Sequence, residues 1–144
     1  MKRDLSEIKV LVTRNIPVLG VEMLRKEGFS VTAWPHERPM TDQELIREGK
    51  KHNVILCVSA DNIGTDFLKA CPHLEMISQF AVGYDNIDVP FATKLGIPIG
   101  YAPGAMNEAT ADIAFGLMIA VARKFFYMHK GILKGEWTYF KPNA

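Results

Sequence analysis

The residues whose types and order could do chemistry lie together, in Ser78-Gln79-Phe80-Ala81-Val82-Gly83-Tyr84-Asp85-Asn86-Ile87-Asp88. The apolar run Leu74-Glu75-Met76-Ile77 leads in and reads as a short buried strand, here taken as Leu74 to Ile77. The chain must turn at Val82-Gly83, where glycine tolerates φ > 0 and lets a second molecule approach the main chain. Asp85-Asn86-Ile87-Asp88 then offers side chains able to cap a helix beginning near Val89. In open α/β sheets such a succession of strand end, glycine and helix start is where anions and cofactors bind, beyond the carboxyl ends of the strands. Backbone N–H groups on a turn are the donors that such a site uses for an anion.

Other reactive side chains do not assemble into a motif. His36, His52, His73 and His129 have no carboxylate or cysteine at metal-ligand or triad spacing and read as structural or solvated. Ser59 and Ser78 lack the G-x-S-x-G setting of a hydrolase nucleophile. A phosphoacceptor receiver domain needs an acidic pair after the first strand and an aspartate ending the third, where Thr13-Arg14 and Ser59 stand. Gly96, Gly100 and Gly104 recur every four residues and do not make the G-x-G-x-x-G turn that admits a pyrophosphate. No catalytic acid or base and no metal site is therefore assigned within the 144 residues.

The elements that must position the turn alternate between strand and helix. Lys9 to Thr13 is the first strand, and Pro17 opens a helix that ends at Gly28, a C-terminal glycine. Phe29 to Trp34 alternates as a strand, and Thr41 with Glu44 forms a capping box for a helix through Lys50. Val54 to Val58 is a continuous apolar run, as a central parallel strand should be. Gly64 to Ala70 and Val89 to Leu95 read as helices, with Ile97-Pro98-Ile99 a fifth strand kept to the edge by its proline. The pattern predicts an α/β fold, a doubly wound parallel sheet of flavodoxin-like order 2-1-3-4-5. A helix capped by Asn107 and running from Glu108 to about Tyr127 follows, apolar nearly all round. Asp112 and Arg123 bracket only ten uncharged residues, too few for a membrane span of about 20. The expected organisation is residues 1–104 as one domain and 105–144 as a helix leading to another.

Ile77 to Asp88, then Leu95-Gly96-Ile97-Pro98-Ile99, Ala102-Pro103-Gly104 and Glu108-Ala109-Thr110-Ala111-Asp112, resembles the D-isomer-specific 2-hydroxyacid dehydrogenases in order and spacing. This is the family of glyoxylate/hydroxypyruvate reductases, glycerate dehydrogenases and D-3-phosphoglycerate dehydrogenases. The similarity is strong from about Met76 to Trp137 and looser over the first 70 residues, which fit the family's substrate domain. The resemblance implies that Val82 and Gly83 present N–H groups to a substrate carboxylate and that Ser59 lines the same cleft. It also implies that Val82 and Thr110 touch a nicotinamide cofactor, NAD or NADP, bound mainly by a second domain. Lys134-Gly135-Glu136-Trp137 is similar to the family's approach to that domain. Two positions depart: Tyr101 stands where the family often has asparagine, and Asn107 where it often has threonine or serine. The implied activity is hydride transfer between a nicotinamide and C2 of a small 2-oxo or D-2-hydroxy acid. The competing expectation is a stand-alone ligand-binding or assembly module without catalysis.

Composition bounds the remaining possibilities. An apolar content of 48% and a charged content of 23% are those of a soluble globular protein, and 144 residues can bury a real core. A net charge of +1 gives no electrostatic argument for nucleic acid or an anionic membrane as partner. Cys57 and Cys71 are no disulfide framework, and Met1-Lys2-Arg3-Asp4 precedes no apolar signal segment. Cytoplasm is the expected compartment, and a homodimer paired through the apolar helix the expected assembly.

Overall fold

The computed structural model describes residues 4–137. The end of the 105–144 segment, and Met1 to Arg3 of the N-terminal reading, lie outside the described residues. The chain divides into two compact units, Met1–Ala105 and Met106–Ala144.

The first unit is a five-stranded parallel sheet of order β2-β1-β3-β4-β5, as the alternation of elements predicts. Its elements are β1 (Lys9–Val12), α1 (Val18–Lys26), β2 (Ser30–Ala33), α2 (Asp42–Gly49), β3 (Val54–Cys57), α3 (Thr65–Ala70), β4 (Met76–Gln79), α4 (Val89–Leu95) and β5 (Ile99–Gly100). The registers Leu11 with Ile55 and Ile55 with Ile77 bring three aliphatic side chains into line across the centre of the sheet. These three anchor a core completed by Leu45, Ile63, Phe67, Leu68 and Ala92 from the connections and from α2, α3 and α4. Side chains alternate along a strand, so Val10 and Val12 fall on the opposite side of the sheet from Leu11, and both are buried. Burial on both faces explains why the inner strand β3 reads as a continuous apolar run, while the edge strand β2 alternates.

Local chemistry sets the helix ends. Gly28 follows α1 with φ of +100°, and Gly96 ends α4 with φ of +71°, conformations that only glycine adopts without strain. In α2 the capping box is complete: Glu44 N–H donates to Thr41 Oγ1 (3.3 Å), and Glu44 Oε2 accepts from Thr41 N–H (2.9 Å). The Arg38 guanidinium grips the same carboxylate through two bonds of 2.8 and 2.7 Å, and with the Thr41 N–H holds Glu44 far below the usual carboxylate range. A depressed folded pKa places this contribution above the unfolded value of 4.5, and it is lost as the pH falls below that value. Thr41→Ala is expected to cost about 1 kcal/mol, a fall of a few degrees in Tm. Thermal melts at neutral pH check this, and a melt at pH 3 should show a smaller difference between variant and parent.

The fourth and fifth strands sit later than their apolar runs indicate. β4 covers Met76–Gln79 instead of Leu74 to Ile77, because Leu74 N–H closes a turn onto Cys71 O (3.3 Å) while Gln79 pairs with Cys57. β5 covers Ile99–Gly100, since Ile97 N–H is spent on Ala92 O (3.0 Å) at the end of α4. Pro98 still contributes its carbonyl to Ile77 N–H (3.0 Å), and the strand is at the edge, where a missing donor is tolerated.

The second unit corrects the single long helix. α5 spans Asn107–Ala122 and α6 spans Phe125–Leu133, separated at Lys124, whose φ of 53° is left-handed and ends α5. Asn107 is not the cap but the first helical residue: Met106 holds that position, and no side chain bonds the helix start. Glu108 does lie in the first turn, where the helix dipole favours an anion. Ala120 is the one buried residue of α5, and Ile113, Phe115, Leu117, Met118 and Val121 are each more than half exposed. Among the described residues, no helix is long and apolar enough to cross a membrane.

Candidate functional site

The carboxyl ends of β1, β3 and β4 open onto three connections: Thr13–Arg14, the loop from Val58 to Ile63, and the turn from Phe80 to Asp88. The turn is joined to β3 by Phe80 N–H donating to Cys57 O (2.8 Å), and to the start of the β5 connection by Ala102 N–H donating to Ala81 O (3.0 Å). Between these bonds and the next helix, nothing among the described residues accepts a hydrogen bond from the N–H of Val82 or Gly83. The N–H groups of Val82 and Gly83 are thus open at a strand's carboxyl end, as are those of Ala81 and of Tyr84 to Asn86, and Val82 is 43% exposed. Buried backbone donors are almost always paired, so an unpaired couple is free to serve a ligand only where it can be reached.

Gly83 does not need glycine for its own backbone. Its φ lies outside the left-handed region, so the tolerance of φ > 0 that glycine offers is not used at this turn. A Cβ built there meets only Asp85 Oδ2, at 3.4 Å, an ordinary contact. What remains of the glycine argument is close approach from outside.

The acidic residues after the turn divide their tasks. Asp88 caps α4, accepting from Phe91 N–H (3.0 Å), and also accepts from Thr65 Oγ1. These bonds, Thr65 first, hold its carboxyl below the ordinary aspartate value. Asn86 caps nothing; it ties the turn to the β3 loop, its Nδ2 donating to Val58 O (3.2 Å) and Asp61 O (2.9 Å). Ile63 and Ile87 form a bridge between the two loops, and Asp88 N–H reaches Ile63 O (3.0 Å). The two loops therefore form one body.

Ser59 is exposed in that β3 loop, beside the turn's anchor at Val58. Thr110 belongs to the second unit. It is exposed in the first turn of α5, and its N–H is engaged with Met106 O (2.9 Å), so only its hydroxyl is open for a ligand. Tyr84 and Tyr101 stack edge to face with centroids 5.0 Å apart, which gives Tyr101 a partner on the turn itself.

Sequence reasoning missed the buried polar groups behind the turn. Gln79 (2% exposed), Asp61 (3%) and Thr13 (0%) sit among apolar neighbours, and Asp61 Oδ2 accepts from Val58 N–H (2.8 Å) and Thr13 Oγ1. The available signal was Gln79, a polar residue at a buried strand position directly after an apolar run. Burial, helped by the Asp61 charge, pushes the Cys57 thiol up to about 12, so it stays protonated and is no nucleophile. Of the histidines, His52 Nδ1 meets Glu48 O (2.7 Å), His73 Nε2 meets His52 O (3.1 Å), and His36 packs on Trp34. Among the described residues, no three metal-ligating side chains gather. A cleft of about 330 Å³ lies on the α2–α3 side, lined by Asp42, Ile46, Asn62, Thr65, Asp66 and others, and includes none of the turn residues.

A five-stranded parallel sheet of order 2-1-3-4-5 with helices in its connections defines the class, a flavodoxin-like α/β domain. The chain belongs to the D-isomer specific 2-hydroxyacid dehydrogenases, matching their catalytic domain over residues 10–135. It is 37% identical over 129 residues to a glyoxylate reductase from Thermococcus onnurineus, an alignment covering 90% of this chain and 38% of that protein. The TT0316 protein from Thermus thermophilus superposes with a TM-score of 0.86 at 29% identity, over 94% of this chain and 43% of the other. The NAD+-bound 3-phosphoglycerate dehydrogenase of Entamoeba histolytica gives 0.71 at 28% identity, over 83% and 40%. The chain spans about two fifths of the relatives it matches.

Proposed function

We propose that residues 1–104 are the substrate-binding domain of an NAD(P)-dependent oxidoreductase that interconverts small 2-oxo acids and D-2-hydroxy acids. Residues 105–144 are then the interdomain helical segment and the approach to a dinucleotide-binding domain. The observation that carries this reading is the pair of open N–H groups at Val82 and Gly83 on a turn fixed at both ends. Two neutral amides at a strand's carboxyl end hold a carboxylate in defined orientation without a mobile, solvated lysine. Ser59, on the loop tied to that turn, lines the substrate side.

When bound, NAD or NADP supplies the hydride that reduces C2 of the oxo acid. The family resemblance gives Val82, exposed in the first unit, an apolar contact to such a cofactor, and Thr110, exposed in the second, a polar contact through its hydroxyl. The role of Val82 and Gly83 is to fix the carboxylate and so aim C2; no proton donor is assigned to this chain. The glyoxylate reductases among its relatives favour glyoxylate as the first substrate to test. A homodimer paired through α5 and cytoplasmic localisation complete the proposal.

A polypeptide of these 144 residues is expected to give no glyoxylate-dependent oxidation of NADH or NADPH above blank, because it carries no G-x-G-x-x-G turn. Joined to a relative's dinucleotide-binding domain, it should turn over. Activity of the 144 residues alone would contradict the division of labour, and an inactive but folded chimera would favour the non-catalytic module.

A further inference from the structure

The turn that carries Val82 and Gly83 is held from behind by one buried side chain. Gln79 Nε2 donates to Gly83 O (3.2 Å) and to Asn86 Oδ1 (2.8 Å), while its Oε1 accepts from Cys57 Sγ (3.0 Å). The protonated Cys57 thiol is a donor, which orients the amide: oxygen toward sulfur, nitrogen toward Gly83. Asn86 passes the constraint on to the carbonyls of Val58 and Asp61, and Asp61 to Thr13 on the β1 connection. A continuous set of bonds therefore runs from the end of β1 to the Gly83 carbonyl, across the ends of three strands.

A strand position 2% exposed is filled at lowest cost by an aliphatic residue, since a buried amide is tolerated only when its polar atoms are paired. Gln79 is fully paired, and one of its bonds ends on the residue whose N–H is open for a ligand. Fixing the Gly83 carbonyl restrains the rotation that would swing the neighbouring peptide planes. We propose that Gln79, with Asn86, is a positioning residue that holds the Val82 and Gly83 N–H groups in the orientation that receives a carboxylate. The proposal rests on reading those two groups as the carboxylate site.

The test is a glyoxylate titration of the 144-residue chain followed through backbone amide resonances. The parent should show saturable shifts at Val82 and Gly83. It should also show a shift of the Gln79 side-chain amide, which is 2% exposed and bonded directly to Gly83 O. Gln79→Met, close in volume but unable to bond, should weaken the apparent affinity at least tenfold, and Asn86→Ala at least fivefold. Leu45→Ala, a core truncation in α2, should lower Tm yet leave glyoxylate affinity within twofold of the parent. If Gln79→Met does not fold, the Asn86→Ala affinity and the parent's Gln79 side-chain shift decide. Parent-like affinity in the folded variants, or equal weakening by Leu45→Ala, overturns the positioning role alone. No shift at Val82 and Gly83 in the parent overturns the carboxylate site and the positioning role together.

Discussion

Gly83→Val in the complete dehydrogenase is expected to lower kcat/KM by about 10²-fold or more while the domain stays folded. Displacing a positioning group by even an ångström costs about that factor in well-oriented reactions. The separation of function from folding follows from the local geometry. Because Gly83 does not occupy the left-handed region, a side chain there strains no backbone, and the first atom meets only the Asp85 carboxylate at 3.4 Å. The added methyls instead fill the space a carboxylate would take beside the open N–H groups. Gly83→Ala should show the same direction with a smaller loss. Steady-state kinetics on glyoxylate, paired with thermal melts, check both. Unchanged kcat/KM in a folded Gly83→Val protein would remove this residue from the site.

The second large effect is on assembly. The chain is expected to be dimeric at micromolar concentration, and Ile113→Glu with Leu117→Glu should return it to a folded monomer. The two residues lie four apart, on one face of α5, and are 66% and 51% exposed. A helix that packs by one stripe leaves its other face polar, whereas α5 also exposes Phe115, Met118 and Val121. Contiguous exposed apolar side chains of this kind mark an interaction surface, and pairing α5 with a second copy through a two-fold axis would cover them. Because neither position is buried, charge there should spare folding, which distinguishes this pair from a substitution at the buried Ala120. Sedimentation equilibrium of parent and double variant reads the outcome, and a soluble parent monomer would contradict it.

How much of this was legible in the sequence depends on what kind of interaction fixes each feature. Sheet order followed from alternation and from Pro98 at the edge, because parallel strands need crossovers and a proline cannot donate in the interior. The helix of Val89–Leu95 and the capping box at Thr41 were local in origin and appeared where their residues placed them. Errors came where the partner is distant. The apolar run ended β4 at Ile77, since nothing near Gln79 in sequence shows that the Cys57 thiol, 22 residues away, would donate to its amide oxygen. The break at Lys124 was hidden for a related reason: lysine seldom takes a left-handed φ, and no glycine marks the position. At the site, the motif drew attention to Val82 and Gly83. The contacts 4 to 48 residues apart by which Gln79, Asn86, Asp61 and Thr13 hold the turn were visible only in three dimensions.

The most direct test of the carboxylate site is a crystal structure of this chain grown with oxamate, the amide analogue of a small 2-oxo acid. The account predicts the oxamate carboxylate within hydrogen-bond distance, roughly 2.7 to 3.2 Å, of both the Val82 and the Gly83 nitrogen. Oxamate seated in the cleft beside Asp42, Asn62 and Thr65, with the Val82 and Gly83 N–H groups untouched, would contradict it.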